Sequence, residues 1–175
     1  MSTTAVTKVF IIGLPGSGKS TLGRELARRL NLPFLDLDEI IEQNTNQSVR
    51  EIFAQQGENV FRRLEQQALH QAINQNNAFV LATGGGAPCF FDNLAVMKQA
   101  GTTLFLDVPV SIIVQRMQGD QITDRPLLRS LDQDRLVEEY TARFEKRLPV
   151  YRQAHLTIDE NASVEEAIAL LNARN

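Results

Sequence analysis

One cysteine and two histidines are all that this 175-residue chain holds of those residue types. Cys89 alone allows no internal disulfide, and His70 and His155 stand too far apart in sequence to build a zinc-type pattern with it. A chain without disulfides fits a reducing cytoplasm. Positive charge is short as well: the formal net charge is −3, so no global field would collect nucleic acid or anionic lipid, and any bound anion must be met by a local cluster. No stretch approaches the roughly 18 apolar residues of a membrane span, and the opening segment from Met1 to Lys8 lacks the basic-then-apolar order of an export signal. Neither insertion nor export is expected. Internal repeats and low-complexity runs are absent, and the Asn- and Gln-rich stretches from Glu42 to Gln47 and Gln71 to Asn77 read as solvated helix faces and a turn.

Apolar side chains make up 43% of the chain. At this length that is enough for one well-buried core and too little for two, so a single domain over 1–175 is expected. Strand-length apolar runs recur at Val9 to Ile12, Phe34 to Leu37, Phe79 to Ala82, Thr103 to Asp107 and Leu156 to Ile158. The first, third and fourth are apolar on both faces, as in a parallel sheet covered by helices on both sides. Between the runs lie helical patterns. Leu22, Leu26 and Leu30 share one face, and Asn31-Leu32-Pro33 ends that helix. Phe61, Leu64, Ala68, Leu69, Ala72 and Ile73 form a stripe closed by Asn76-Asn77, and Ser163 with Glu166 makes a capping box for a last helix. The alternation predicts a three-layer α/β/α, doubly wound domain, with strand order left open. From Gln118 to Arg129 the rhythm breaks into a polar stretch with Gly, Pro and two arginines, the composition of a mobile flap.

The first apolar run leads straight into Gly-Leu-Pro-Gly-Ser-Gly-Lys-Ser. Gly13, Gly18, Lys19 and Ser20 meet the pattern G-x-x-x-x-G-K-[ST], with Gly16 an extra glycine inside the loop. Glycines let successive backbone N–H groups face one concave nest, and the following helix adds its positive end. Such a nest cradles a polyphosphate, Lys19 reaches the β- and γ-phosphates, and the Ser20 hydroxyl ligates Mg²⁺. A glycine-rich connector with a solvent lysine is the plain alternative. Four such positions coincide by accident in on the order of 1% of chains this long, and the required strand and helix flank them. A GTPase would need Asn-Lys-x-Asp to read guanine, which the sequence lacks. Phosphoryl transfer to a small acceptor remains.

Acceptor-side candidates follow. Strand alternation would put Asp36 and Asp38 on one side, suited to a Mg²⁺ shell and to hydroxyls, although Asp38 could instead cap a helix beginning at Glu39. Arg62 and Glu65, three apart on a helix, can pair, as ordinary surface residues also do. Gly84, Gly85 and Gly86 follow a buried strand; a plain turn needs one glycine, whereas a backbone close to a ligand justifies three. Leu136, Tyr140, Phe144 and Arg147 recur at helical spacing, so Arg147 either serves a site or snorkels from a core edge.

Taken in order, Gly-Leu-Pro-Gly-Ser-Gly-Lys-Ser-Thr, Phe-Leu-Asp-Leu-Asp, Gly-Glu-x-x-Phe-Arg-x-x-Glu, Gly-Gly-Gly-Ala, Arg-Pro-Leu-Leu and Arg-Leu-Pro-Val-Tyr resemble the shikimate kinases of the nucleoside-monophosphate-kinase-like P-loop group over nearly the whole chain. The resemblance implies a five-stranded parallel sheet in order 2-3-1-4-5, a lid over about 116–131, and a cytoplasmic monomer that uses ATP and Mg²⁺ and binds neither nucleic acid nor membrane. It implies transfer of the ATP γ-phosphate to the 3-hydroxyl of shikimate, a step toward chorismate and the aromatic amino acids. It assigns Gly13, Pro15, Gly16, Ser17, Gly18, Lys19, Ser20, Thr21, Arg116 and Arg125 to ATP, and Asp38, Arg62, Gly84, Gly85, Gly86 and Arg147 to shikimate. Lys19, Asp36 and Arg125 are its catalytic residues; Ser20, and Asp36 through water, are its metal ligands; and Glu65 steadies Arg62. One departure stands out: the spacing from Arg116, the nearest adenine-facing arginine, to Arg125 is about two residues longer than the family pattern. A gluconate kinase would keep Lys19 and Ser20 without needing both Arg62 and Arg147. A nucleotide-binding regulator would be expected to have lost acceptor residues.

Overall fold

Five strands form one all-parallel sheet in the order β2-β3-β1-β4-β5. They are β1 Lys8–Ile12, β2 Phe34–Asp36, β3 Phe79–Ala82, β4 Thr102–Asp107 and β5 Leu156–Asp159. The computed structural model describes residues 7–120 and 133–174. Around the sheet lie α1 Lys19–Leu30, α2 Leu37–Thr45, α3 Val49–Gln75, α4 Asn93–Ala100, α5 Val110–Asp120, α6 Gln133–Tyr151 and α7 Val164–Arg174, with a 3₁₀ turn at Ala87–Cys89. Position in the sheet explains strand composition. The inner strands β1, β3 and β4 are buried on both faces, and their side chains from Val9 to Ile12, Phe79 to Ala82 and Leu104 to Leu106 form the centre of the core. The edge strands β2 and β5 need less apolar surface and are only partly buried.

Helix ends follow the chemistry of their residues. Asn31 takes the left-handed conformation that closes α1, and Ser163 and Glu166 exchange the two hydrogen bonds of a capping box before α7. A second capping box, Ser48 with Glu51, starts α3, which bends at Gly57 (φ 82°). One expectation needs correction. The second strand stops at Asp36 rather than Leu37, because the Asp36 carboxylate accepts from the Asp38 N–H and turns the chain into α2. Asp36 is therefore the cap, Asp38 sits in the first helical turn, and alternation along a strand does not relate them. The stretch beginning at Gln118 starts in helix, since α5 runs to Asp120. A lone glycine, Gly119, costs a helix only about 1 kcal/mol, so the register set by Ile113, Val114 and Met117 carries through it. The rest of that stretch, with Arg125, lies outside the described residues.

The loops after β1, β2 and β3 all leave the carboxyl ends of neighbouring strands. In an open parallel sheet this edge is where ligands bind.

Candidate active site

The turn between β1 and α1 is shaped by glycines in left-handed backbone conformations, Gly16 at φ 79° and Gly18 at φ 98°. Gly18 also serves as the N-cap of α1 without any side-chain bond, so the first N–H groups of the helix face the cavity instead of a capping oxygen. Pro15 to Leu22 line this cavity of about 640 Å³ together with Leu106, Arg116, Met117 and residues Asp159, Glu160 and Ala162 after β5. Inside it, Lys19 is buried and donates one hydrogen bond to the Leu14 carbonyl at 2.7 Å. An ammonium has three donors, so two remain for a ligand. Burial brings the Lys19 pKa down to about 8 against the opposing pull of Asp38 and Asp36, which leaves it protonated at neutral pH. The Ser17 hydroxyl is buried without a partner among the described residues. Arg116, from α5, donates to the Ser17 carbonyl at 3.1 Å and so borders the nest.

Ser20 and Asp36 meet where this nest joins the next loop, the Ser20 hydroxyl donating to Asp36 Oδ2 at 2.9 Å. Hydroxyl and carboxylate oxygens are the hard donors that Mg²⁺ takes, and Mg²⁺ keeps several waters instead of demanding a protein cage. Among the described residues no group of three or more His, Cys, Asp or Glu could hold an ion. The Ser20 hydroxyl and Asp36 carboxylate fit a Mg²⁺ shared with a nucleotide.

A second cavity, of about 750 Å³, is lined by Phe53, Glu58, Arg62, Phe90 and, from α6, Glu139, Ala142, Arg143, Lys146 and Arg147. Arg62 is nearly buried. Its Nη1 donates to Glu65 at 2.8 Å, its Nε and Nη2 both reach Glu58 at 3.2 and 3.0 Å, and the Phe90 ring lies 4.2 Å from its guanidinium carbon. Glu65 is fully buried, with its second oxygen unpartnered, and its pKa is raised by burial more than Arg62 lowers it. Asp38 has an unpartnered buried oxygen too; burial and the Asp36 charge raise its pKa to about 6, against Lys19 and Arg62.

Gly84, Gly85 and Gly86 explain themselves against these side chains. A Cβ on Gly84 would come within 2.8 Å of Glu65 Oε1, one on Gly85 within 2.5 Å of Pro15, and one on Gly86 within 2.6 Å of the Arg62 guanidinium. Each glycine thus makes room for a protein group of the site. The sequence expectation of close approach to a ligand alone omits this.

Sequence reasoning misses several neighbours. Glu58 could have been found, since it lies four residues before Arg62 in the quoted Gly-Glu motif. Phe90 and residues 159–162 carry no local signal, and tertiary contact alone brings them in. Cys89 is half-buried, with burial raising its thiol pKa, and His70 is exposed. His155, just before β5, accepts from the N–H of Thr103 in β4, so it serves the junction of those two strands.

Ionisation of Asp38 gives a checkable pH dependence. As a carboxylate it can accept from an acceptor's hydroxyls. With its pKa near 6, it is protonated as pH falls below that value. The acceptor KM should then rise as pH falls from 7 to 5, while the nucleotide KM changes less. Steady-state kinetics at several pH values checks this, and a flat acceptor KM contradicts it.

A phosphate nest at a strand-to-helix turn, facing a pocket of carboxylates and arginines across a shared glycine turn, defines a P-loop kinase acting on a small anionic acceptor. Comparison with known proteins narrows the class. The family model for shikimate kinase matches residues 15–172. The shikimate kinase of Bacteroides fragilis is 39% identical over 169 residues, covering 94% of this chain and 93% of that protein. In three dimensions, the crystal structure of shikimate kinase from Bacteroides thetaiotaomicron matches with TM-score 0.83 and 36% identity, covering 96% of each chain. Shikimate kinase from Acinetobacter baumannii, solved in complex with shikimate, matches with TM-score 0.78 and 35% identity over 94% of this chain and 89% of that one. The chain belongs to the shikimate kinase family.

Proposed function

We propose that this protein is a shikimate kinase that moves the γ-phosphoryl group of ATP to the 3-hydroxyl of shikimate, giving shikimate 3-phosphate and ADP on the route to chorismate and the aromatic amino acids. One observation supports the reading most: Arg62 and Arg147, from different helices, line a single cavity, and Asp38 lies close enough to feel both Lys19 of the nest and Arg62. A carboxylated, hydroxylated ring suits that arrangement.

The residues divide the work. Gly13, Pro15, Gly16, Ser17, Gly18 and Thr21 wrap the phosphates, and Arg116 sits at the nucleotide end. Arg62 and Arg147 hold the acceptor carboxylate, Asp38 accepts from its hydroxyls, and the Gly84 to Gly86 backbone bounds its ring. Asp36 aligns the attacking hydroxyl, because a loose transition state needs little early proton removal. Lys19 directs its free N–H groups at the phosphoryl oxygens, on which charge spreads in the transition state. Ser20, and Asp36 through water, would hold the Mg²⁺ that accompanies ATP, and the ion would neutralise phosphate charge. Arg125, outside the described residues, completes the cationic set from a lid over about 116–131. We place the single-domain enzyme in the cytoplasm as a monomer without nucleic-acid or membrane partners; among the described residues no helix is long and apolar enough to cross a membrane.

A coupled ADP-release assay with shikimate, quinate and gluconate tests the proposal. Shikimate-dependent turnover is expected, and turnover with gluconate alone would overturn it. In the same assay Arg125→Ala should lower kcat by roughly 10³-fold or more, the lower end for arginine fingers, with little change in shikimate Kd. A defect confined to affinity would remove Arg125 from the reaction.

A further inference from the structure

Tyr151 closes the quoted Arg-Leu-Pro-Val-Tyr motif, yet no role has fallen to it. It is the last residue of α6 and is completely buried. A buried phenol must place its hydroxyl. Here the hydroxyl donates to the Gly85 carbonyl at 2.6 Å, across 66 residues of sequence. Arg147, one helical turn earlier on α6, lies near enough for its charge to draw the phenol pKa down against burial. Its ring rests on Phe105 of β4, with centroids 5.1 Å apart. A helix side chain thus ties together the sheet, the middle glycine of the β3 turn and an arginine of the acceptor pocket. Gly85 in turn abuts Pro15 of the phosphate nest with no space for a Cβ.

We infer that Tyr151 is a positioning residue, whose hydroxyl holds the Arg147 guanidinium and the Gly85 carbonyl in fixed register for the acceptor. The inference rests on the proposed shikimate kinase reading and deepens it at the acceptor end. Without the hydroxyl, Arg147 loses a neighbouring oxygen that can accept from it, and the buried Gly85 carbonyl loses its donor. The nucleotide side is spared, because the contact between Gly85 and Pro15 is backbone against ring and does not involve the phenol. Burial also raises the Tyr151 pKa, so the hydroxyl keeps its proton and stays a donor across the working pH range.

Tyr151→Phe removes one oxygen and keeps the ring. Its shikimate KM should rise about ten-fold, in keeping with loss of a hydrogen bond to a charged group, while the ATP KM stays within about two-fold. In an Arg147→Ala background the same change should add much less, because the two residues act as one unit. Phe105→Leu disturbs the ring without touching the hydroxyl, so it should lower the melting temperature and leave the shikimate KM unchanged. Equal rises in both KM values, full additivity with Arg147→Ala, or the same acceptor defect in Phe105→Leu would each reduce Tyr151 to a fold residue and overturn the inference. An unchanged shikimate KM in Tyr151→Phe, with wild type active on shikimate, would overturn it alone. A wild type inactive on shikimate would take the functional reading down with it.

Discussion

Lys19→Met should lower kcat by about 10² to 10³-fold, the loss found when one preorganised donor to developing charge is removed, while shikimate still binds. The size of the effect follows from where the ammonium sits. It is buried in the nest and anchored to the Leu14 carbonyl at 2.7 Å, so no solvent cation can take its place. A second consequence runs through Asp38. Lys19 is the strongest of the charges that hold the Asp38 pKa down against burial and Asp36. Its removal should move the acid limb of the acceptor KM profile to higher pH. Rapid-mix ADP release across pH checks both, and a loss of kcat under ten-fold would contradict the assignment.

Arg62→Ala should act on both binding and stability. The guanidinium is the sole hydrogen-bonded partner of fully buried Glu65 among the described residues. Removing one member of such a pair costs about 3–5 kcal/mol. Separately, each charge-assisted hydrogen bond lost to the acceptor carboxylate is worth about 1.5–3 kcal/mol, roughly 10 to 150-fold in shikimate KM. The two effects can be parted by adding Glu65→Gln, which removes the stranded charge. The double variant should regain much of the melting temperature and none of the shikimate affinity. If affinity returned with stability, Arg62 would be a fold residue and not a ligand for the carboxylate.

Much of this could be seen in the sequence, for physical reasons that differ by element. The inner strands were legible because burial on both faces leaves continuous apolar runs such as Val9 to Ile12 and Phe79 to Ala82. The nest was legible because φ > 0 and an open helix end demand glycines in fixed positions. Strand order came from resemblance alone, since periodicity does not encode which strands are neighbours. The β2 boundary is hidden for a local reason: Asp36 and Asp38 both suit a cap, and only the geometry shows Asp36 accepting from the Asp38 N–H. The three glycines point to close approach of a ligand and leave unseen the protein side chains that they also admit. Glu65, Pro15 and Arg62 arrive from elements distant in sequence, and no local pattern announces them. The same holds for Phe90 over Arg62 and for Tyr151 under Gly85.

Phosphoryl transfer requires donor and acceptor to meet in one cleft, with the Gly84–Gly86 turn as part of its wall. A crystal structure with shikimate and a non-hydrolysable ATP analogue tests that requirement directly. The account predicts phosphates on Lys19 and Ser20, the shikimate carboxylate between Arg62 and Arg147, and its 3-hydroxyl turned to the terminal phosphate beside Asp36. Shikimate bound away from Arg62 and Arg147, or separated from the nucleotide by intact protein, would contradict it.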